Sequence, residues 1–491
     1  MSVAHHQKPK AGIRRFQDFP LGIISQSPKP RYLHSRGHFS LTALLGIIII
    51  LLLAGCGALA EPERQPLPTP VATAQPFELA QLPGLVTNPV SDVAPNIDSG
   101  IQMLVDQVSQ QQLMGYIQQL ESFGTRNAFS ETESENFGIG AARQWLFDEF
   151  VRVGNGRLQV SFQDFPLYYN GLYAEQRNIV AVLPGQAENP GVVVIMGHYD
   201  NRPPEVTDGA SKATGANDNG SGIALMLETA RLLSAQQWNQ TVIFVATAAE
   251  EQGTFGARHF AQTAYLDNMN ILAAINYDTV GGRRDIPRSI RLFAPNLAFS
   301  ASGQLARYYE YVGGLYVPDF GVNVIDSLDR EGRWGDQREF VNIGIPAVRL
   351  TESIEDPDLV NSLRDTWDRI DFDYLQKVVQ LNVAVVANIA GAPGQPQAPV
   401  VQTTEALGTY QLSWPVQDNA AGYAISFRPL DDPSHQAFHL VKAKQAGNVA
   451  LTDKDPNVNY SVSVAALDEN GRLGYFTPEI IVGPDALALS P

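Results

Sequence analysis

The sequence contains very little cysteine: one residue, Cys56, among 491. A single cysteine excludes an intrachain disulfide and any metal site built from several thiolates. Positive charge is also scarce, since 34 Lys and Arg stand against 51 Asp and Glu for a formal net charge of −17. A nucleic-acid partner requires a basic surface stripe, so this balance argues against one.

Histidine is nearly absent from the middle of the chain. Of eight histidines, four precede residue 41 and two, His435 and His439, lie close to the C-terminus. Only His198 and His259 remain for chemistry between these ends. A metal site in the central region therefore has one or two imidazoles at most.

An apolar run at 41–55 (LTALLGIIIILLLAG) has the length of a signal-peptide core and is short for a membrane span. The preceding 40 residues carry seven Lys or Arg and one acid, which keeps the N-terminus cytoplasmic. Leu53-Ala54-Gly55-Cys56 resembles a bacterial lipobox, which implies lipidation of Cys56 as the mature N-terminus. The alternative is an uncleaved signal anchor. Either reading predicts an extracytoplasmic protein anchored to the bacterial cell membrane.

Composition and periodicity predict four regions. Residues 1–56 form the signal or lipoprotein segment, and 57–97, rich in Pro, Ala and Gln, form a spacer. Residues 98–393 alternate apolar strand-like runs such as GVVVIMG and TVIFVATAA with amphipathic helices. This alternation predicts an α/β fold of three layers, α/β/α, with a mostly parallel central sheet.

Residues 397–491 change class to short alternating segments separated by turn residues, which predicts a small all-β sandwich. Trp414, Gly422-Tyr423 and the segment 460–466 resemble the strands of a fibronectin type III domain. We expect an accessory module that contacts substrate, a polymer or another protein, because such folds carry no chemistry by themselves.

Four short motifs place polar side chains where strands should end. They are GHYD with His198, GANDNGSG with Asp218, TAAEEQG with Glu250 and Glu251, and INYDTVGG with Asp278. Open α/β sheets keep their chemistry at such strand ends. Carboxylates with one or two imidazoles and no thiolates suit a borderline Lewis acid, usually zinc.

The order and context of these motifs resemble the zinc exopeptidases of metallopeptidase family 28, the bacterial leucyl aminopeptidase and aminopeptidase Y group, over about residues 105 to 393. The resemblance implies that His198 and Asp278 hold one zinc ion and that Asp218 bridges two ions. It further implies Glu251 as a ligand of the second zinc and Glu250 as the general base that takes a proton from an activated water.

Two further features follow from the resemblance. Asp200 is implied as the partner that fixes the tautomer of His198. The Asp218-Asn219 peptide bond is implied to be cis. The expected function is a zinc-dependent exopeptidase, of the aminopeptidase type, acting on peptides.

The sequence departs from the family where the second zinc should gain a histidine, four residues before Asp365-Thr366. That position is Asn361. A smaller departure is Asp336-Gln337, where the family usually has Asp-His.

Three consequences stay open. Asn361 or a nearby acid supplies an oxygen ligand to a weaker second ion; the nearby acids are Glu352, Glu355, Asp356 and Asp358. Alternatively, one ion in the His198, Asp218 and Asp278 site suffices, with Glu250 still the base. The third possibility is a catalytically inactive relative that keeps metal for stability and binds peptides.

Overall fold

The computed structural model describes residues 86–87, 94–432, 434 and 438–486. The predicted signal segment, its apolar run and the lipobox Cys56 lie outside the described residues, as does most of the predicted spacer 57–97. Within the described ranges, no helix combines the length and apolar character needed to cross a membrane.

Helices and strands alternate through the first and larger part of the described chain. The strands are β1 (Val86–Thr87), β2 (Gln159–Tyr169), β3 (Leu172–Leu183), β4 (Val192–His198), β5 (Thr241–Thr247), β6 (Ile271–Tyr277), β7 (Ser289–Ala294), β8 (Gly321–Asp326), β9 (Ala347–Glu352), β10 (Val400–Thr403), β11 (Tyr410–Ser413), β12 (Gly422–Pro429), β13 (His439–Lys442), β14 (Val449–Leu451), β15 (Tyr460–Leu467) and β16 (Ile480–Val482). The helices are α1 (Ser99–Asp106), α2 (Gln110–Ser122), α3 (Gly138–Val153), α4 (Ser221–Leu233), α5 (Phe255–Leu266), α6 (Ala301–Tyr316), α7 (Gln337–Val341) and α8 (Phe372–Gly391).

The central sheet has eight strands in the order β2-β3-β5-β4-β6-β9-β7-β8. Its middle strands β5, β4, β6 and β9 are parallel, while the β2-β3 hairpin pairs antiparallel with β5 at one side. On the other side β7 is antiparallel to β9 and parallel to β8. The predicted mixed and mostly parallel α/β sheet is confirmed.

Both faces of this sheet are covered by helices. In β4, Val193 and Ile195 pack into the large core on one face. Val192, Val194 and Met196 pack into a second core on the other face, with residues of α5. Because successive side chains of a strand point to opposite faces, a strand covered on both faces must be apolar throughout, which explains the uninterrupted run GVVVIMG.

Four elements of this part were not predicted from the sequence: β7, α6, β8 and the short helix α7. The helix α6 contains adjacent glycines, Gly313-Gly314, which weaken a helical pattern. The edge strand β8 is only partly buried along its length, so it lacks the apolar run of the central strands.

The C-terminal part consists of two four-stranded sheets with the orders β1-β14-β11-β10 and β13-β12-β15-β16. Side chains of both sheets share one core that includes the fully buried Trp414. The predicted all-β sandwich is confirmed. Its first sheet also takes in β1, from the stretch predicted as a spacer, in parallel pairing with β14.

Candidate metal centre and active site

The carboxyl ends of β4, β5 and β6 bring the predicted motifs together. His198 is the last residue of β4, and Asp278 directly follows β6. Asp218 lies in the turn Ala216–Gly220 that leads into α4. Parallel neighbouring strands end at the same edge of the sheet, so residues far apart in the sequence meet there.

Three residues at this edge, His198, Asp218 and Asp278, lie close enough together to hold a metal ion, and we name them the metal trio. No other such group of His, Cys, Asp or Glu occurs among the described residues. One ligand atom from each lies within 4.8 Å of the others. The Nε2 atom of His198 lies 3.3 Å from Asp218 Oδ1 and 3.6 Å from Asp278 Oδ1. This Nε2 is buried and has no hydrogen-bond partner. Buried polar atoms are almost always paired, so an unpaired nitrogen facing two carboxylates indicates a cation position.

Asp200 orients both His198 and the glutamate pair. The Nδ1 atom of His198 lies 3.1 Å from the backbone carbonyl oxygen of Asp200 and 3.7 Å from its carboxylate. A proton on Nδ1 donated to the carbonyl leaves the Nε2 lone pair directed at the aspartates. The Asp200 carboxylate instead accepts from the backbone N–H groups of Glu250 and Glu251, both at 3.2 Å. The resemblance implied only that Asp200 orients His198. The structure adds that the Asp200 carboxylate also binds the backbone of Glu250 and Glu251.

The turn that carries Asp218 is held by two side chains. Asp365 accepts from the backbone N–H of Asn217 at 2.7 Å and from that of Asp218 at 3.0 Å. Asn219 donates to the carbonyl of Tyr277 at 2.8 Å and so joins the turn to the end of β6. The Asp218-Asn219 peptide is cis, as predicted. The turn and the strand end therefore form one connected support for two of the three ligands.

A buried arginine stands behind Asp278. Arg349 Nη2 lies 2.9 Å from Asp278 Oδ2, and its Nη1 lies 2.8 Å from Asp329 Oδ2. Burial would raise the pKa of Asp278, but Arg349, together with His198 and Arg330, outweighs burial and lowers that pKa. Arg349 thus helps to keep Asp278 ionised, and the other oxygen of Asp278 accepts from Thr279 Oγ1 at 3.0 Å and also faces His198.

The charges of the centre also act on His198 itself. Burial alone would lower the pKa of its imidazole, but Glu250 and the two aspartates outweigh burial and raise that pKa well above its ordinary value. Several carboxylates surround one buried imidazole and repel one another, and a bound cation would reduce this repulsion.

Glu250 and Glu251 follow β5 in a turn where Ala249 has φ 58°. A non-glycine residue in this left-handed region costs energy and is found where the fold must aim a particular side chain. Desolvation raises the pKa of Glu250 well above its ordinary value, and the nearby Asp278 and Glu251 add to this rise. Among the described residues, no hydrogen bond reaches the Glu250 carboxylate, which lines the cavity at the centre.

Glu251, in contrast, is engaged by protein donors, in a group we name the Arg202 cluster: Arg202, Glu251 and Asn361. Arg202 Nε lies 2.7 Å from Glu251 Oε2. In the amide orientation that satisfies both neighbours, Asn361 donates to Glu251 Oε1 at 2.8 Å and accepts from Arg202 Nη2 at 3.0 Å. Burial raises the pKa of Glu251, and the charge of Arg202 opposes that rise.

The other acids considered as ligands lie elsewhere. Glu352 accepts from Asn217 Nδ2 at 3.0 Å and from the backbone of Gly282 at 2.8 Å. Glu355 forms ion pairs with Arg291 and Arg330. None of the four acids, Glu352, Glu355, Asp356 and Asp358, lines the cavity.

His259 packs against an aromatic ring, and Asp336 accepts a buried hydrogen bond. The His259 ring stacks on Phe165 with a centroid distance of 5.5 Å, and burial lowers its pKa. Asp336 is fully buried and accepts from Thr247 Oγ1 at 2.5 Å, beside the end of β5.

A cavity of about 210 Å³ opens over the centre. The metal trio's two aspartates, both glutamates and Asn361 line it, and three arginines, Arg202, Arg330 and Arg333, contribute positive charge. Sequence reasoning missed Arg202, Arg349 and Asp365. The available signals were an arginine two residues after Asp200, and a charged residue inside the buried strand β9.

Carboxylates and one imidazole converging at the end of a parallel sheet, beside a free glutamate, define a metal-dependent hydrolase type of site. The profile of peptidase family M28 matches residues 178–386. A probable zinc metalloprotease of Leptosphaeria maculans is 34% identical, over 68% of this chain and 87% of its own length. A second, from Pyricularia oryzae, is 31% identical over 81% of this chain and 88% of its own. The chain belongs to peptidase family M28.

Among solved structures, the LapA aminopeptidase of Legionella pneumophila is similar, with a TM-score of 0.49 and 19% identity. The similarity covers 61% of this chain and 78% of that one.

Zinc is the ion that this family implies, and the metal trio fits it. The unpaired, buried Nε2 of His198 and two aspartate oxygens offer nitrogen and oxygen ligands of the types that zinc takes. The Arg202 cluster offers no comparable set, because the guanidinium of Arg202 already lies against both Glu251 and Asn361.

Proposed function

We propose that the chain is a membrane-tethered, extracytoplasmic, zinc-dependent exopeptidase of the aminopeptidase type. One observation carries the proposal: the buried and unpaired Nε2 of His198 faces two carboxylates, next to the uncommitted carboxylate of Glu250. A metal kept only for stability would not need an uncommitted carboxylate beside it in a solvent-reachable cavity.

The residues would divide the reaction as follows. His198, Asp218 and Asp278 would hold the zinc, which when bound acts as a Lewis acid toward water and the scissile carbonyl. Glu250 would take a proton from the attacking water and deliver it to the leaving amine. Asp200 would hold His198 and the backbone of Glu250 in register through the contacts described above. Arg349 would keep Asp278 ionised.

Glu250→Gln tests the proposal, because it removes the base and leaves the shape of the cavity. Hydrolysis of a panel of aminoacyl-anilides should fall by roughly 10²–10⁴-fold while zinc content is unchanged. The matched control is Glu133→Gln, an exposed glutamate remote from the cavity, which should leave activity unaltered. A wild-type chain that binds zinc and peptides but hydrolyses no substrate would instead identify the alternative, a metal-stabilised peptide-binding module.

The membrane tether is supported by the N-terminal sequence: an apolar run followed by the lone Cys56 in a lipobox-like context. Labelled palmitate should be incorporated in bacteria and lost in Cys56→Ala. Incorporation that persists in this variant would refute lipidation at Cys56 and favour the signal anchor.

The C-terminal sandwich we propose to be fibronectin type III-like and accessory, contacting a polymer or a protein. The support is its two small sheets around Trp414 and the absence of any group of metal-ligating side chains among its described residues.

A further inference from the structure

The position that a second ion would need is bounded by Glu251 and Asn361. The guanidinium of Arg202 lies between them, with Nε 2.7 Å from one Glu251 oxygen and Nη2 3.0 Å from the Asn361 oxygen. We propose that Arg202 is a built-in cation that replaces the second metal, so that the chain binds one zinc ion. This inference rests on the proposed function, because it assumes zinc in the metal trio.

The Arg202 guanidinium is fixed rather than loosely placed. Besides its contacts with Glu251 and Asn361, its Nη1 donates to the carbonyl oxygens of Pro203 at 3.3 Å and Pro204 at 3.2 Å. Its side chain is 21% exposed and that of Glu251 8% exposed. A planar guanidinium held by four acceptors loses little further freedom on pairing, which makes it a persistent partner.

Two physical effects keep an ion out while Arg202 is in place. The carboxylate of Glu251 is already paired with a cation, since one oxygen accepts from Arg202 and the other from Asn361. A divalent ion a few ångströms from the guanidinium would also be repelled by its positive charge. The amide of Asn361 is a weaker zinc ligand than imidazole and cannot compensate for this repulsion.

Arg202 also takes over the electrostatic part of a metal's role. Glu250, Glu251 and Asp218 all line the same cavity. Such a cluster of carboxylates needs a compensating positive charge near it. Arg202 acts as a positioning residue that holds Glu251 away from the metal trio and leaves Glu250 as the uncommitted carboxylate.

The test is the zinc stoichiometry of the purified full chain, measured by elemental analysis after dialysis and by calorimetric titration with Zn²⁺. Wild type should bind one zinc ion per chain. Asn361→His alone should still bind one, because the guanidinium remains. The double variant Arg202→Ser with Asn361→His should bind two.

The matched control is Arg333→Ser with Asn361→His. It removes the same charge from the cavity wall without freeing Glu251, and it should bind one zinc ion. Circular dichroism and thermal unfolding verify folding of each variant, and Arg202→Gln with Asn361→His replaces the serine variant if that one does not fold.

The outcomes separate the inference from the proposed function. Two zinc ions in wild type, or in Asn361→His alone, overturn the role of Arg202 but leave the peptidase proposal standing. One ion in both Arg202 double variants, or two in the Arg333 control, also overturns it. No zinc in wild type removes the proposed function itself.

Discussion

On one side of the cavity, His198, Asp218 and Asp278 direct three ligand atoms at a common point, and the imidazole nitrogen has no protein partner. On the other side, Glu251 and Asn361 already hold the guanidinium of Arg202. Both sides place carboxylates in a partly buried setting, where an uncompensated charge is costly. The comparison shows two ways to compensate a cluster of carboxylates: a metal ion bound from solution, or a guanidinium of the same chain.

The largest effect should come from breaking the metal trio. His198→Ala removes the only imidazole of the trio, so zinc content should drop to near zero. Peptidase activity should fall by roughly 10³-fold or more, as the loss of several kcal/mol of Lewis-acid stabilisation requires. The counterpart on the other side, Glu251→Gln, should keep its one zinc ion. Equal zinc loss in both variants would contradict the division into two unlike sides.

A smaller effect, on stability, should follow from Arg349→Met. Arg349 is fully buried between Asp278 and Asp329, and its removal leaves Asp278 without this cation and Asp329 with Arg330 as its remaining ion-pair partner. The free energy of unfolding of the zinc-free chain should decrease by about 3–5 kcal/mol. Urea denaturation in the presence of a chelator measures it. Addition of zinc should recover part of the loss, because the ion compensates Asp278, whereas an unchanged unfolding midpoint would contradict the support assigned to Arg349.

The smallest effect should come from Asn361→Ala. The substitution removes one hydrogen bond to Glu251 and one to Arg202 but leaves their ion pair intact. We expect a loss of about 1 kcal/mol in unfolding free energy and an unchanged zinc content. A drop in zinc content, measured by elemental analysis, would show that Asn361 is a metal ligand after all.

The metal trio was predicted from the resemblance of the motifs to a known family, and the apolar runs placed His198 and Asp278 at strand ends. Asp218 lies instead within a glycine-rich turn before α4. The sequence did not reveal Arg202 pairing with Glu251, since that contact depends on how the loop after β4 folds back over the turn after β5. Spacing along the chain contains no signal for such a pairing.

Arg349 illustrates a different limit. A charged residue in the buried strand β9 was visible in the sequence, but its partners were not. Asp329 reaches it from the loop after β8, a strand that the sequence pattern did not predict. A missed element therefore concealed a contact that supports Asp278, a member of the metal trio.

The junction between the α/β part and the sandwich contains buried ion pairs. Arg307 of α6, 2% exposed, and Arg428 of β12, 1% exposed, share the carboxylate of Glu479 at 2.7 and 3.0 Å. Tyr308 and Asn388 both donate to the carbonyl of Leu473, at 2.6 and 2.7 Å. A chain shortened at residue 394 would leave Arg307 without its counter-ion and expose apolar surface that is now covered. We therefore expect the sandwich and the α/β part to stabilise each other, so that loss of the sandwich in evolution would require the surface of α6 to change at the same time.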